Sequence, residues 1–387
     1  MTGQLEGSTQ WMEVHGSMRM PNTTRRKFCT TVATLAVASP LATACGARES
    51  GNQTTQVPSN VKLIVPFSAG GGTDTLARLL APYLEDSVQG SPSVQVVNRP
   101  GGESITGTNQ FVQQNPDDGS QLLVSSATTS FQWLLDMPQV EYNFKKLKPL
   151  MVAGTGGVIY ASKKSGIKSV KDLKNPSKQL QYGGISATGL DLITLLAFDV
   201  LKLDPKATFG FEGRGPARLA LQRGETNIDY QTTPAYMTQV KPLADEGKVV
   251  PLMSFGVLNE QGKVAHDPNF KDLPTVPEVY KKLYDKEPSG KAYEAYVAFL
   301  AAGFSYQKGL WATPQTPKAV RQAFIDAVPD LKNSKKFENK RRNVLGNYPL
   351  YSGEKVQQGL SRAFSISDEV KQYVYDLLKT KYDTKIQ

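Results

Sequence analysis

Twice in this chain a short apolar run stops at a stretch of glycines and small hydroxyl residues and restarts as a helix. The first is Val61-Lys62-Leu63-Ile64-Val65-Pro66-Phe67, which ends in Ser68-Ala69-Gly70-Gly71-Gly72-Thr73-Asp74. Leu76, Leu79, Leu80, Tyr83 and Leu84 come next at helical spacing, one apolar stripe with Thr73 or Asp74 as the expected N-cap. The second is Leu180-Gln181-Tyr182, then Gly183-Gly184-Ile185-Ser186-Ala187-Thr188-Gly189, then an apolar helix from Leu190 to Leu201. A strand that turns through glycine into a helix has to lay that helix back on its own sheet. The fold this predicts is α/β, with mainly parallel sheets flanked by helices.

The rest of the pattern agrees. Strands are predicted at Val94 to Val97, Leu122 to Val124, Ile228 to Tyr230 and Val249 to Phe255, and short helices at Ile105 to Gln114 and Pro216 to Arg223. Toward the end, Thr316-Pro317 opens a helix carrying Val320, Ala323, Phe324, Ala327 and Val328, and Val370, Tyr373, Val374, Leu377 and Leu378 mark a last one. A length of 387 residues suits two such units. With 39% hydrophobic and 21% charged residues, the chain reads as globular, neither disordered nor polytopic. It holds only two His and two Cys, too few for a disulfide framework, a Cys/His metal site or a Cys–His or Ser–His catalytic pair. No cofactor or metal is expected.

A glycine loop at a helix N-terminus exposes backbone N–H groups at the positive end of the helix dipole, and so makes an anion seat. Neither loop carries the spacing of a phosphate-binding P-loop or of a dinucleotide fingerprint, so nucleotides are poor candidates. Ser68, Thr73, Ser186 and Thr188 add hydroxyl donors, which suits a carboxylate held by several hydrogen bonds without a charged partner. The alternative for either loop is simply a tight turn. The formal charge of +10 suits an anionic small ligand or an anionic lipid surface as well as a merely solvated basic surface. The densest cluster, Lys335-Lys336 with Lys340-Arg341-Arg342, lacks interleaved aromatics, so nucleic acid is not an expected partner.

The N-terminal stretch reads as export machinery. Thr24-Arg25-Arg26-Lys27-Phe28 precedes a mildly apolar run, Cys29 to Leu41, that falls short of the ~20 apolar residues a membrane span needs. The Arg25-Arg26 pair resembles a twin-arginine signal, and Leu41-Ala42-Thr43-Ala44-Cys45-Gly46 is similar to a lipoprotein box in which Cys45 becomes a lipidated N-terminus. Met18 and Met20 are alternative starts. Residues 1–44 are thus expected to be the signal, and residues 45–59, polar and rich in Gly, Ser and Thr, a tether.

These residues together resemble a family, the solute-binding receptors of tripartite tricarboxylate transporters, or Bug family. The blocks that carry the resemblance are Leu63 to Asp74, Asn98-Arg99-Pro100-Gly101-Gly102, Pro116-Asp117-Asp118-Gly119, the hydroxyl cluster Ser125 to Ser130, Gly213 to Ala217, Leu273 to Glu278 and Ala312 to Pro317. The similarity runs from about residue 60 to 387. It implies a two-lobed periplasmic-binding-protein fold, with lobe 1 at 60–154 and 308–387 and lobe 2 at 155–307. It also implies a small organic mono-, di- or tricarboxylate closed between the lobes, and a two-subunit membrane permease as partner. The receptor is expected to be monomeric, exported and anchored by lipid to the cytoplasmic membrane, and not an enzyme. A sensor kinase in place of the permease is the alternative partner, and an enzyme on the same fold the remote one.

The resemblance also implies a ligand site. It places Ser68, Ala69, Gly70, Thr73 and Asp74 on one side of the cleft and Gly184, Ser186, Ala187 and Thr188 on the other, with Thr128, Thr129, Thr232 and Thr233 along the walls. Asp74 fits a helix-capping role better than ligand contact, because a carboxylate repels a carboxylate. Two departures from the family pattern stand out. Glu212 and Arg214 replace a Lys and small residues, so Arg214 is either a partner for a second ligand carboxylate or a surface salt bridge. The aromatic-rich stretch Tyr280 to Leu310 is long and is expected to add a helix over the hinge. Phe131, Trp133, Tyr160, Tyr182, Tyr230 and Tyr236 are either cleft walls or core.

Overall fold

The computed structural model describes residues 56–386. The signal with Arg25 and Arg26, the lipidation candidate Cys45 and the tether as far as residue 55 lie outside the described residues. Residues 54–387 form one unit.

The chain first builds β1 (Asn60–Val65), α1 (Gly72–Ser87), β2 (Ser93–Asn98), α2 (Ile105–Gln114), β3 (Gln121–Ser126), α3 (Ala127–Leu134) and β4 (Lys148–Ala153). It then crosses through residues 154–156 into a second sheet made from β5 (Gly157–Ser162), β6 (Gln181–Gly183), α4 (Leu192–Val200), β7 (Lys206–Thr208), α5 (Arg214–Arg223) and β8 (Ile228–Thr232). A helical stretch containing α6 (Thr233–Ala235) and α7 (Lys241–Asp245) leads to β9 (Val249–Ser254) and the small hairpin β10 (Val257–Leu258) with β11 (Val264–Ala265). After α8 (Val276–Tyr284) and α9 (Lys291–Leu300) the chain returns through β12 (Lys308–Ala312), α10 (Lys318–Asn333), α11 (Lys335–Leu345), β13 (Leu350–Tyr351), α12 (Glu354–Ala363) and α13 (Asp368–Tyr382).

The two sheets have strand orders β13-β4-β12-β3-β1-β2 and β7-β6-β8-β5-β9. β1, β2 and β3 are parallel, as are β6, β7 and β8. The strands entered after each crossing are not: β5 runs against β8 and β9, and β12 against β3 and β4. The expected mainly parallel sheets are therefore mixed at these strands, and the reason is geometric. β4 and β9 run out of their sheets at the edge that faces the other lobe. A chain entering the other sheet from that edge must travel opposite to strands that end there. The two crossings are tied together, since the Thr155 N–H donates to the Phe304 carbonyl at 2.8 Å. The carboxyl ends of β1, β3, β6 and β8 thus face one cleft, where open α/β sheets place their ligands.

Burial obeys the side-chain alternation of the strands. Leu63 and Val65 face Leu76, Leu80, Phe324 and Phe337, a core shared with α1, α10 and α11. Ile64 and Leu123 face the other way, into a core that continues through Tyr296 and Phe299 of α9 to Ile159 and Met253 of the second sheet. The aromatic-rich segment holds the end of α8 and all of α9; Tyr280, Tyr296, Phe299 and Phe304 are core, while Tyr284, Tyr293 and Tyr306 are half-buried. The Tyr296 hydroxyl donates to the Phe255 carbonyl at 2.6 Å and Phe299 packs edge-on to Phe131.

α13, expected within the first lobe, touches both. Its Tyr373 hydroxyl donates to Asp199 and Lys381 pairs with the same carboxylate at 2.6 Å, while Lys371 reaches Asp136 at 2.7 Å and the Tyr375 hydroxyl reaches the Leu135 carbonyl at 3.0 Å.

Candidate functional site

β1 delivers the chain to an exposed loop, Ser68 to Gly72, and Gly70 turns it with a φ of +81° that side chains disfavour. The N-cap of α1 is Gly71, not Thr73 or Asp74, and no side chain caps it. Asp74 lies inside the first turn and secures the loop instead. Its carboxylate accepts from the Gly70 N–H at 2.8 Å, from Arg78 at 2.9 Å and from the Asn98 amide at 2.9 Å. Burial works against the charge, but these three donors hold the Asp74 carboxyl below its ordinary range. Asp74 is consumed as a brace. The N–H groups of Gly71, Gly72, Thr73 and Asp74 have no partner among the described residues, so the positive end of α1 is open.

The second loop is built differently, although its sequence looks equivalent. The Gly184 N–H donates to the Thr208 carbonyl at 2.9 Å, those of Ile185 and Ser186 to Asp191 at 2.8 and 3.2 Å, and that of Thr188 to the Ser186 hydroxyl at 3.2 Å. Asp191 acts as a built-in anion. The expected pair of equivalent amide seats is thus one open helix end and one loop whose donors are largely spent at home. What the second loop can offer a ligand is hydroxyls, with Ser186 and Thr188 in contact at 3.0 Å. Ala187 is buried against the loop.

Arg214 is neither a surface salt bridge nor free for a ligand. Its side chain is 14% exposed, pairs with Asp191 at 2.8 Å and with Asp229, and donates to the carbonyls of Gly183 and Tyr230 at 3.0 Å each. Its guanidinium lies 4.3 Å from the Tyr230 ring centroid. Tyr160 and Tyr182 complete the cluster by donating to Asp229 and Asp191. Arg214 therefore braces the second loop from behind, and Tyr160, Tyr182 and Tyr230 are core, as are Phe131 and Tyr236.

Of the wall hydroxyls, Thr129 is spent accepting from the Ser126 N–H at 3.4 Å at the start of α3, and Thr233 is bonded to the Tyr348 hydroxyl at 2.7 Å. Thr128 and Thr232 remain half-buried without such ties. A β-carbon built on Gly189 would stand 2.9 Å from Glu103 Oε2 and 3.3 Å from the Thr128 methyl, so both first-lobe residues meet the second loop.

Sequence reasoning missed two charged residues. Glu103 adopts φ 52° and ψ 41°, a left-handed conformation that a non-glycine residue rarely takes, and it faces Ser186. Burial raises its carboxyl above the ordinary range, with the Asp191 charge adding to the rise and the Ser186 hydroxyl opposing it. Lys308, at the start of β12, is 9% exposed and donates to the Thr73 hydroxyl at 3.2 Å. The one sequence signal for the first is that Glu103 follows directly on the Gly101-Gly102 pair of the Asn98–Gly102 block. Nothing local marks Lys308, which is distant in sequence from the loop it touches.

No protein-family model matches the chain. It is similar to the protein BugT of Bordetella pertussis, 30% identical over 189 residues, a match spanning 47% of this chain and 57% of BugT. The chain thus matches little more than half of that relative's length. A UPF0065 protein of the same organism is 26% identical over 281 residues, 69% of this chain and 75% of its own. Among solved structures, the periplasmic binding protein BugD shares the fold with a TM-score of 0.59 at 20% identity, covering 84% of this chain and 98% of BugD. The Rhodopseudomonas palustris protein MatC, solved with bound malate, gives 0.56 at 19% over 82% and 98%. Rpa4515 of R. palustris, solved with adipate, gives 0.61 at 20% over 81% and 97%.

Proposed function

We propose that this chain, a member of the Bug family of solute-binding receptors, captures a small organic carboxylate in the cleft between its lobes and releases it to a membrane permease without transforming it. The observation that carries the reading is the uncapped N-terminus of α1 at the carboxyl edge of the first sheet, with the Ser186 and Thr188 hydroxyls on the opposing loop. In this reading one ligand carboxylate lies on the amides of Gly71 to Thr73 with Ser68 and Ala69 at the rim. The far end of the ligand meets Ser186, Thr188, Thr128 and Thr232. MatC with malate and Rpa4515 with adipate make dicarboxylates the first ligands to try.

Export through the Arg25-Arg26 signal, lipid anchoring at Cys45 and action as a monomer belong to the same proposal. Small-ligand stabilisation of the folded state gives the test. A thermal-shift panel of mono-, di- and tricarboxylates, aliphatic and aromatic, should raise the melting temperature with at least one member, and that member should be recovered unchanged after incubation. A panel without any shift would refute the reading, and turnover of the bound compound would replace it with an enzyme.

A further inference from the structure

The geometry points to Lys308 as the counter-charge that fixes the ligand carboxylate at the open end of α1. This rests on the solute-binding reading above and sharpens it, because it adds a formal cation to a glycine-loop seat whose sequence suggested hydroxyls and amides without a charged partner.

Lys308 sits on the strand that returns from the second lobe, in register with Ser126 of β3 and Ala153 of β4. An ammonium has three donors, and this one spends a single bond on a neutral acceptor, the Thr73 hydroxyl at 3.2 Å. A β-carbon placed on Gly72 would lie 3.8 Å from the Lys308 nitrogen, so the cation stands beside the first turn of α1. Burying an ammonium is costly unless an anion joins it. None of the ion pairs among the described residues includes Lys308. Asp74, the acidic residue in the first turn of α1, is committed to Gly70, Arg78 and Asn98. β3 has no charged residue, and Lys148 lies at the opposite end of β4, paired in register with Ala312.

The free amides of α1, the positive end of its dipole and a buried ammonium therefore meet at Thr73, and the one acid in that turn, Asp74, is already committed to Gly70, Arg78 and Asn98. A carboxylate would satisfy all three. With burial as the cause, the Lys308 amine is brought down to about 8. The ligand site would then carry its full positive charge below that pH and lose it above.

The test uses the full-length protein with malate and adipate as probes, the rest of the carboxylate panel serving if neither binds. For whichever compound binds, calorimetry between pH 6.5 and 9.5 should show affinity that is level below about pH 8 and falls above it. Lys308→Met should bind about tenfold to a hundredfold more weakly at pH 7 and show no such fall. Its ligand-free melting temperature should match or exceed that of the parent, because a desolvated charge has been removed. Equal affinity in Lys308→Met with an unchanged pH profile would overturn the assignment and leave solute binding intact. Failure of the parent to bind any carboxylate would defeat both the assignment and the reading beneath it.

Discussion

Charged side chains in the cleft region have roles that their neighbours decide. Arg214 holds Asp191 and Asp229, and Asp191 in turn holds the amides of Ile185 and Ser186. Replacing Arg214 by Met would leave two buried carboxylates without a cation, and the expected loss is about 3–5 kcal/mol in denaturant unfolding. A loss below about 1 kcal/mol would show that the brace is dispensable. Glu103 works in the opposite sense. Its folded-state carboxyl titrates above the unfolded value because the folded protein penalises its charge. The penalty is absent at pH values below the unfolded pKa, grows as pH rises through the raised folded value and is complete above it. Glu103→Gln should accordingly raise the melting temperature at pH 7 and leave it almost unchanged at pH 3.5. A gain of equal size at both values would assign the effect to something other than charge.

At the scale of elements, two loops of similar composition have diverged because the acidic residue downstream of each glycine run stands in a different place. In the first, the acid comes at Asp74, inside the first turn of α1, and its single backbone N–H partner is Gly70, which leaves the helix end open. In the second, Asp191 stands just before α4 and collects two loop amides. The last helix shows a comparable division of labour. α13 buries Val374 and Leu378 while its polar side chains reach Asp136 on one lobe and Asp199 on the other. Leu378 is fully buried, so Leu378→Ala should cost about 2–5 kcal/mol. Faster amide exchange at both the α3 end near Leu135 and in α4 should accompany that loss. Exchange that quickens on one lobe alone would deny α13 a bridging role.

At the scale of the molecule, the lobes share one hydrophobic core and are joined by two crossings that bond to each other between Thr155 and Phe304. Such a joint permits rotation of one sheet against the other about a few extended residues while the core on the far side of the cleft stays packed. Gly156 belongs to this joint for steric reasons, because a β-carbon there would meet Asp267 Oδ2 at 1.8 Å and the Tyr348 hydroxyl at 2.2 Å. Small-angle scattering should record a smaller radius of gyration when a confirmed ligand is added. Superimposable curves with and without it would mean that capture proceeds without closure.

The strand, glycine-loop and helix grammar could be read from residues 61–84 and 180–201 because it rests on local periodicity and on the backbone freedom of glycine, both properties of neighbours in the chain. The likeness to the Bug family could be read for a similar reason, as short blocks in a set order. Which loop stays open could not be read, since that depends on where the carboxylates of Asp74 and Asp191 point once the helices are placed. The core position of Tyr280, Tyr296, Phe299 and Phe304, the antiparallel entry of β5 and β12 and the double contact of α13 result from how the two lobes meet. Lys308 lies 235 residues from Thr73. Only the folding of a distant strand against α1 turns an ordinary lysine into a buried charge beside an open helix end, because the cost of burial and the pull of a dipole act through space and leave no trace in sequence order.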